Sequence, residues 1–139
     1  MTIEGILKEV AEKFNGYSYV FDDWQTVDAK LEKAELPAIV SILATSGRVD
    51  LGIDGVTRSK FVAVAFMDKV PRDADGEENA EVTNRMEDTA IEFVKKLNES
   101  GKIKPIEAFD YTPIYEGMGD IISGVMISLN IELNAYPSC

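Results

Sequence analysis

Histidine is absent from this 139-residue chain, and the chain contains a single cysteine. Because histidine is the commonest general base and the commonest metal ligand in proteins, its absence excludes most hydrolase layouts. The cysteine is the last residue, Cys139, which excludes an intramolecular disulfide and a cysteine-based metal cluster within one chain. We therefore expect no enzyme activity, no metal and no cofactor, and a reducing compartment fits the composition.

Basic residues are also scarce, since 14 lysines and arginines stand against 25 acidic residues and give a formal charge of −11. A duplex-DNA surface would be repelled by this charge unless the basic residues clustered, and they do not. Long apolar runs are missing as well, because charges interrupt the N-terminal segment MTIEGILKEVAEKF every turn. We predict no specific nucleic-acid binding, no signal peptide and no membrane span, and we expect a cytoplasmic protein.

Two segments show the apolar spacing of an amphipathic helix, with intervals of three and four residues. The first begins at Thr2, a possible N-cap, and ends at Gly16. Its apolar stripe consists of Ile3, Ile6, Leu7, Val10 and Phe14. The second begins at a capping box of Asp75 and Glu78 and ends at Gly101. Its stripe consists of Val82, Met86, Ala90, Phe93 and Leu97.

Short β-branched or alternating segments predict the strands. They lie at residues 17–21, 38–44, 49–53, 60–67, 106–114 and 125–133, and residues 25–35 are predicted as a helical turn or a loop. Asp54 and Gly55 form the pair that type I′ hairpin turns prefer. The segment 60–67 is apolar on both of its faces, so we expect either a central strand or a neighbouring subunit that covers the face that the helices leave open.

This order predicts the fold. The elements follow one another as α-β-β-β-α-β-β. The segments before the second helix form three strands in this order, or four if 38–44 and 49–53 are separate strands. Two helices packed on one face of an antiparallel sheet would bury both helix stripes and the apolar side of each strand. We predict a single α+β domain over residues 1–139, with no linker or internal repeat.

Three features raise the question of a ligand site. The carboxylates of Asp73, Asp75, Glu77 and Glu78 resemble half of a calcium loop, but a glycine follows Asp75 at once and the closing glutamate is missing, which favours the helix cap. The glycines at 117 and 119 hint at a phosphate loop, yet a strand follows them where a nucleotide fingerprint needs a helix. Trp24 is either an exposed binding anchor or a buried lid over the first helix.

A family resemblance rests on the element order, the acidic loop before the second helix, the segment YTPIY at 111–115, a glycine-containing loop and the closing strand GVMISLNIEL at 124–133. In these features the chain resembles the tail terminator, or tail completion, proteins of tailed bacteriophages. The resemblance covers nearly the whole chain. It implies a phage or prophage structural protein without enzymatic activity, which forms a homo-oligomeric ring such as a hexamer, caps the tail tube and meets the head-completion proteins. It further implies a location in the host cytoplasm and then in the virion.

Other function classes stay open at this point. One is a binding module that holds a small molecule between sheet and helices or binds another protein, and another is a different virion or secretion-tube component with the same fold. An enzyme that uses paired carboxylates ranks last. We expect the partner contacts in the polar loop at 70–78 and the hairpin tip at 53–58, which we predict to be exposed and mobile. The candidate contact residues are Asp54, Arg58, Arg72, Asp73, Asp75 and Glu77.

Overall fold

A computed structural model describes residues 2–23, 35–71, 73–117 and 122–133. Within them the elements are α1 (Ile3–Ala11), β1 (Ser18–Asp22), β2 (Ala38–Gly52), β3 (Gly55–Lys69), α2 (Gly76–Glu99), β4 (Asp110–Gly117) and β5 (Ile122–Glu132). The strands form one five-stranded sheet in the order β1-β2-β3-β5-β4. The predicted α+β class and the order α-β-β-β-α-β-β are confirmed.

The sheet is mixed, and the prediction of a purely antiparallel sheet is wrong at one pair. β1 runs parallel to β2, with Ser18 opposite Ala38, while the other three pairs are antiparallel. A parallel pair needs a crossover of about a dozen residues or more, and the connection 23–37 is long enough to supply it. Residues 24–34, which include Trp24 and nearly all of the predicted helical turn, lie outside the described residues.

Both helix starts carry the predicted caps. The Thr2 hydroxyl accepts a hydrogen bond from the Gly5 N–H at 3.0 Å. At α2 the Asp75 carboxylate accepts from the Glu78 N–H at 2.9 Å, and the Glu78 side chain accepts from the Asp75 N–H, which completes the capping box. These side chains satisfy backbone donors that have no partner inside the helix.

The helices cover one face of the sheet and form the main core with it. The predicted stripe of α2 is buried, and Phe93 meets Phe66 of β3 edge to face at a centroid distance of 5.3 Å. Glu92, its neighbour on the helix, is exposed as predicted. Phe14 lies beyond the end of α1 and packs against this core as a partly buried residue.

The opposite face of the sheet is also buried over part of its area. Ala65 and Met67 of β3 belong to a second apolar cluster on that face, together with Val40 of β2, and Leu36 packs against it. The chain itself therefore buries this part of the face, and β3 is the middle strand of the five, as one of the two interpretations of segment 60–67 predicts. Phe61, an apolar residue on that side of β3, stays largely exposed.

The hairpin of β2 and β3 is longer and more continuous than predicted, since each strand has 15 residues. The two predicted strands at 38–44 and 49–53 are one strand with a register shift between Ile42 and Ser46. Gly52 pairs with Gly55, so the loop consists of Ile53 and Asp54, and Gly55 already belongs to the returning strand. Gly55 has a φ of 133°, a conformation that glycine adopts without strain.

Candidate functional site

The hairpin of β2 and β3 extends beyond the rest of the sheet as a two-stranded arm, which we define as residues 47–58. The pairing of β3 with β5 begins only at Ser59, opposite Glu132, whereas β2 and β3 stay paired out to Gly52 and Gly55. Among the described residues, the arm has one backbone hydrogen bond to a third segment, from the Leu133 N–H to the Arg58 carbonyl at its base, and no third strand pairs with it beyond that point. Every residue of the arm except Thr57 is exposed, so both of its faces are open.

One face of the arm is apolar and the other is polar. Val49 lies opposite Arg58 and Leu51 lies opposite Val56, so these four side chains share a face, because directly paired residues point to the same side. The other face carries Arg48 and Asp50, whose side chains form a 3.0 Å salt bridge, and Thr57.

The apolar side chains of the arm are exposed to an unusual degree. Leu51 is 83% exposed, Val49 58%, Val56 52%, and Ile53 at the tip is fully exposed. Single apolar residues on a surface are ordinary, but a contiguous exposed group is a candidate interaction surface. The arm is such a group.

An apolar groove of about 410 Å³ lies at the base of the arm, on the sheet face opposite the helices. The register shift of β2 contributes Leu43 and Thr45 to its wall, and Phe61, 55% exposed, forms part of its lining. Met126 and Ser128 of β5 complete the side toward β4. Among the described residues, packed core fills the space between the sheet and the helices, so this groove is a different place from the one that the binding-module alternative expects.

The groove is flanked by carboxylates. One row of paired residues crosses all five strands and runs Asp22, Ile42, Ala63, Ser128 and Asp110. Ile42, Ala63 and Ser128 line the groove, so the two aspartates stand at the opposite ends of its row. Because neighbouring strands are about 4.8 Å apart, the two rims are separated by roughly 19 Å. An apolar floor with acidic rims fits an apolar partner that carries positive charge at its edge.

The six predicted contact residues divide between two distant places. Asp54 and Arg58 are exposed on the arm, whereas Asp73, Asp75 and Glu77 are exposed around the start of α2. Arg72 lies outside the described residues. β3 connects the two places, and its eleven steps from Arg58 to Lys69 span on the order of 35 Å. The structure therefore does not bring the two groups together.

The loop before α2 is less open than predicted. Val70 is buried, and Ala74 packs against the main core as a partly buried residue. Both side chains of the capping box are engaged with backbone N–H groups, which agrees with the interpretation of this acidic segment as a helix cap. In the part of the chain that the structure describes, no three acidic or cysteine side chains are grouped as a metal site would require.

A polar cluster lies under α1, where Glu4 forms an ion pair with Lys60 of β3. The hydrogen bond from Lys60 holds the pKa of Glu4 below its ordinary value of 4.5. Burial raises the pKa of the nearby Tyr19 hydroxyl above its ordinary value of 10.0. The pair joins α1 to the base of the arm, and we interpret it as a structural contact.

The glycine-containing segment after β4 falls mainly on residues 118–121, which lie outside the described residues. β4 ends at Gly117 and a strand, β5, begins at Ile122, as predicted. Cys139 also lies outside the described residues. Neither described helix combines the length and apolar character that a membrane span requires.

Comparisons with known proteins leave the family of the chain open. No protein-family model matches the sequence, and no curated protein matches it with significant similarity. The candidate site therefore rests on the geometry of the arm and the groove.

The sequence pattern predicted the hairpin tip at 53–58, whereas the apolar face of the arm and the groove were not predicted. The alternation of Arg48, Val49, Asp50 and Leu51, followed across the turn by Val56 and Arg58, is the signal for an arm with one apolar face. The groove depends on the register shift in β2 and on side chains from three strands. No local pattern in the sequence encodes that combination.

Proposed function

We propose that this protein is a non-catalytic assembly protein that associates with copies of itself into a closed ring. The observation that carries the proposal is the arm at residues 47–58, whose apolar side chains the described residues of the chain leave uncovered. Exposed contiguous apolar surface on a folded domain is typical of protein interfaces. In a closed ring, the neighbouring copies would cover this apolar surface on every copy.

The biological role that we propose follows from the resemblance to phage tail terminators. In that role the ring caps the tail tube and joins it to the head-completion proteins, first in the host cytoplasm and then in the virion. The formal charge of −11 supports it, because a lumen lined by carboxylates repels the phosphates of passing DNA. Specific nucleic-acid binding, membrane binding and a cofactor have no part in this role.

The test of this proposal is the mass of the purified protein in solution. Light scattering is measured across protein concentration at low and high ionic strength, and then with the tail-tube protein added. We expect the mass to rise to a fixed multiple of 15.3 kDa, more readily at high salt, because salt screens the repulsion between acidic copies. A mass of one chain under every condition, with the tube protein included, would contradict the proposal.

A second candidate function is the binding of a small apolar molecule in the groove. Its volume of about 410 Å³ falls in the range of ligand sites, which is the observation that favours this alternative. Thr45 and Ser128 are its polar lining side chains, and a specific ligand site has a few convergent groups of this kind. Saturable binding of an apolar dye by the single-chain form, abolished by Ser128→Tyr, would support this function.

A further inference from the structure

We propose that the arm of one copy lies in the groove of the next copy, with its apolar face against the groove. This inference rests on the proposed ring and names the two surfaces that form it. The contact residues of the arm are Val49, Leu51 and Val56, and those of the groove are Ile42, Phe61 and Met126. Both belong to the same chain, so every copy offers one surface of each kind.

An arm cannot reach the groove of its own chain. The groove lies at the base of the arm, and the pairing of β2 with β3 continues without a shift from Ser46 and Phe61 to Gly52 and Gly55. This unbroken ladder keeps the arm extended away from its base. Its apolar face also continues the helix side of the sheet, since Lys60, the next residue on that side of β3, contacts Glu4 of α1. The groove opens on the other side.

The area of the arm favours a second copy over an unrelated partner. Full burial of an aliphatic side chain corresponds to roughly 60–120 Å², so the exposed arm residues supply on the order of 200–350 Å². A stable interface needs about 500 Å² or more from each partner. The arm alone is too small for a stable interface. In a ring, however, each copy buries its arm in the groove of one neighbour and its groove under the arm of the other neighbour, so both surfaces contribute area.

Charge favours the same arrangement. Within the arm the two arginines, Arg48 and Arg58, balance the two aspartates, Asp50 and Asp54, so this segment is neutral in a chain of charge −11. Arg58 lies on the apolar face of the arm, and the groove has Asp22 and Asp110 at its rims. Because the arm is neutral, it can contact a second, acidic copy of the chain without net charge repulsion.

The experiment compares variants of the full chain by sedimentation across protein concentration at high salt. Leu51→Asp puts a charge on the apolar face of the arm, and Ser128→Tyr fills the groove without adding charge. Ile91→Asp is the control, because Ile91 is an exposed aliphatic residue of α2 and the change in net charge is the same. Thermal unfolding of each variant verifies that it is folded.

We expect Leu51→Asp and Ser128→Tyr each to raise the dissociation constant by roughly ten- to a hundredfold, and Ile91→Asp to leave it unchanged. If the wild type associates and Leu51→Asp associates equally well, the inference is overturned while the ring proposal stands. If Leu51→Asp weakens association and Ser128→Tyr does not, the arm binds a surface other than the groove and the inference is likewise overturned. A wild type that stays a single chain in every condition overturns both.

Discussion

The hairpin formed by β2 and β3 has two parts, one inside the sheet body and one in the arm. The backbone pairing is the same in both, but the flanking strands and the burial of the side chains differ. In the sheet body, β1 and β5 flank the hairpin, and residues such as Ile39, Val40, Ala65 and Phe66 are buried on its two faces. In the arm no described strand flanks the hairpin, and its apolar side chains are exposed. An isolated two-stranded ribbon is at best marginally stable in water. The apolar side chains of the arm therefore contribute little to the fold of one chain, and association is the role we assign to them.

The largest expected contrast between the sheet body and the arm concerns two glycines. A Cβ at Gly124 of β5 would lie 1.9 Å from the backbone oxygen of Phe66, whereas a Cβ at Gly52 of the arm would have an ordinary contact at 3.5 Å. We expect Gly124→Ala to lower the free energy of unfolding by about 4 kcal/mol or more, because backbone atoms must move. Gly52→Ala should change it by less than about 0.5 kcal/mol. Urea denaturation measures both, and equal effects would contradict the contrast.

The second contrast concerns side-chain burial. Phe93 is fully buried against Phe66, so Phe93→Ala should cost about 3–5 kcal/mol through lost transfer energy and the cavity left behind. Its exposed neighbour on α2 provides the matched control, and Glu92→Ala should change stability by less than about 0.5 kcal/mol. The check is again urea denaturation. A reversed order would mean that the buried face of α2 is assigned wrongly.

A smaller effect is expected at the start of α2. Asp75→Ala removes the acceptor of the Glu78 N–H and should lower the free energy of unfolding by about 1 kcal/mol. Asp75→Asn keeps an acceptor at the N-cap and should retain most of the stability. Thermal unfolding of the two variants gives the comparison. If both variants lose the same stability, the charge of Asp75 stabilises the helix and its hydrogen bond does not.

The smallest effect is pH-dependent and concerns the link between α1 and the base of the arm. The hydrogen bond from Lys60 lowers the pKa of Glu4 in the folded chain, so its contribution is present above the unfolded pKa and is lost as the pH falls through the folded value. Because both side chains are only partly buried and water screens the pair, we expect Glu4→Gln to cost under about 1 kcal/mol at neutral pH. The difference from wild type should shrink as the pH falls below 4.5 and disappear once the pH is below the lowered pKa of the folded chain.

The control for this prediction is Glu12→Gln, which changes the net charge by the same amount at an exposed position after α1. Its stability should follow that of the wild type in urea titrations from neutral to acid pH. A difference between Glu4→Gln and wild type that grows toward acid pH would contradict the assigned sign.

The predictable parts of the fold are those that local spacing encodes. The stripe that contains Phe93, the capping box at Asp75 and the alternation in β5 are properties of consecutive residues, and all three are confirmed. The parallel pairing of β1 with β2 depends on the path of a long connection, which alternation does not record. The groove and the row from Asp22 to Asp110 depend on register across five strands, so only the fold brings them together.

The most direct test of the arm in the groove is a mixed disulfide between two variants of the chain. In a background with Cys139→Ser, one protein carries Leu51→Cys and the other carries Ser128→Cys, so each chain has one thiol. A disulfide requires Cα atoms within about 7 Å of each other. After mild oxidation of the mixture, mass spectrometry measures the yield of the mixed pair against that of Leu51→Cys with Ile91→Cys. We predict that the arm and groove thiols join in clear excess over the control pair, and equal yields would contradict the account.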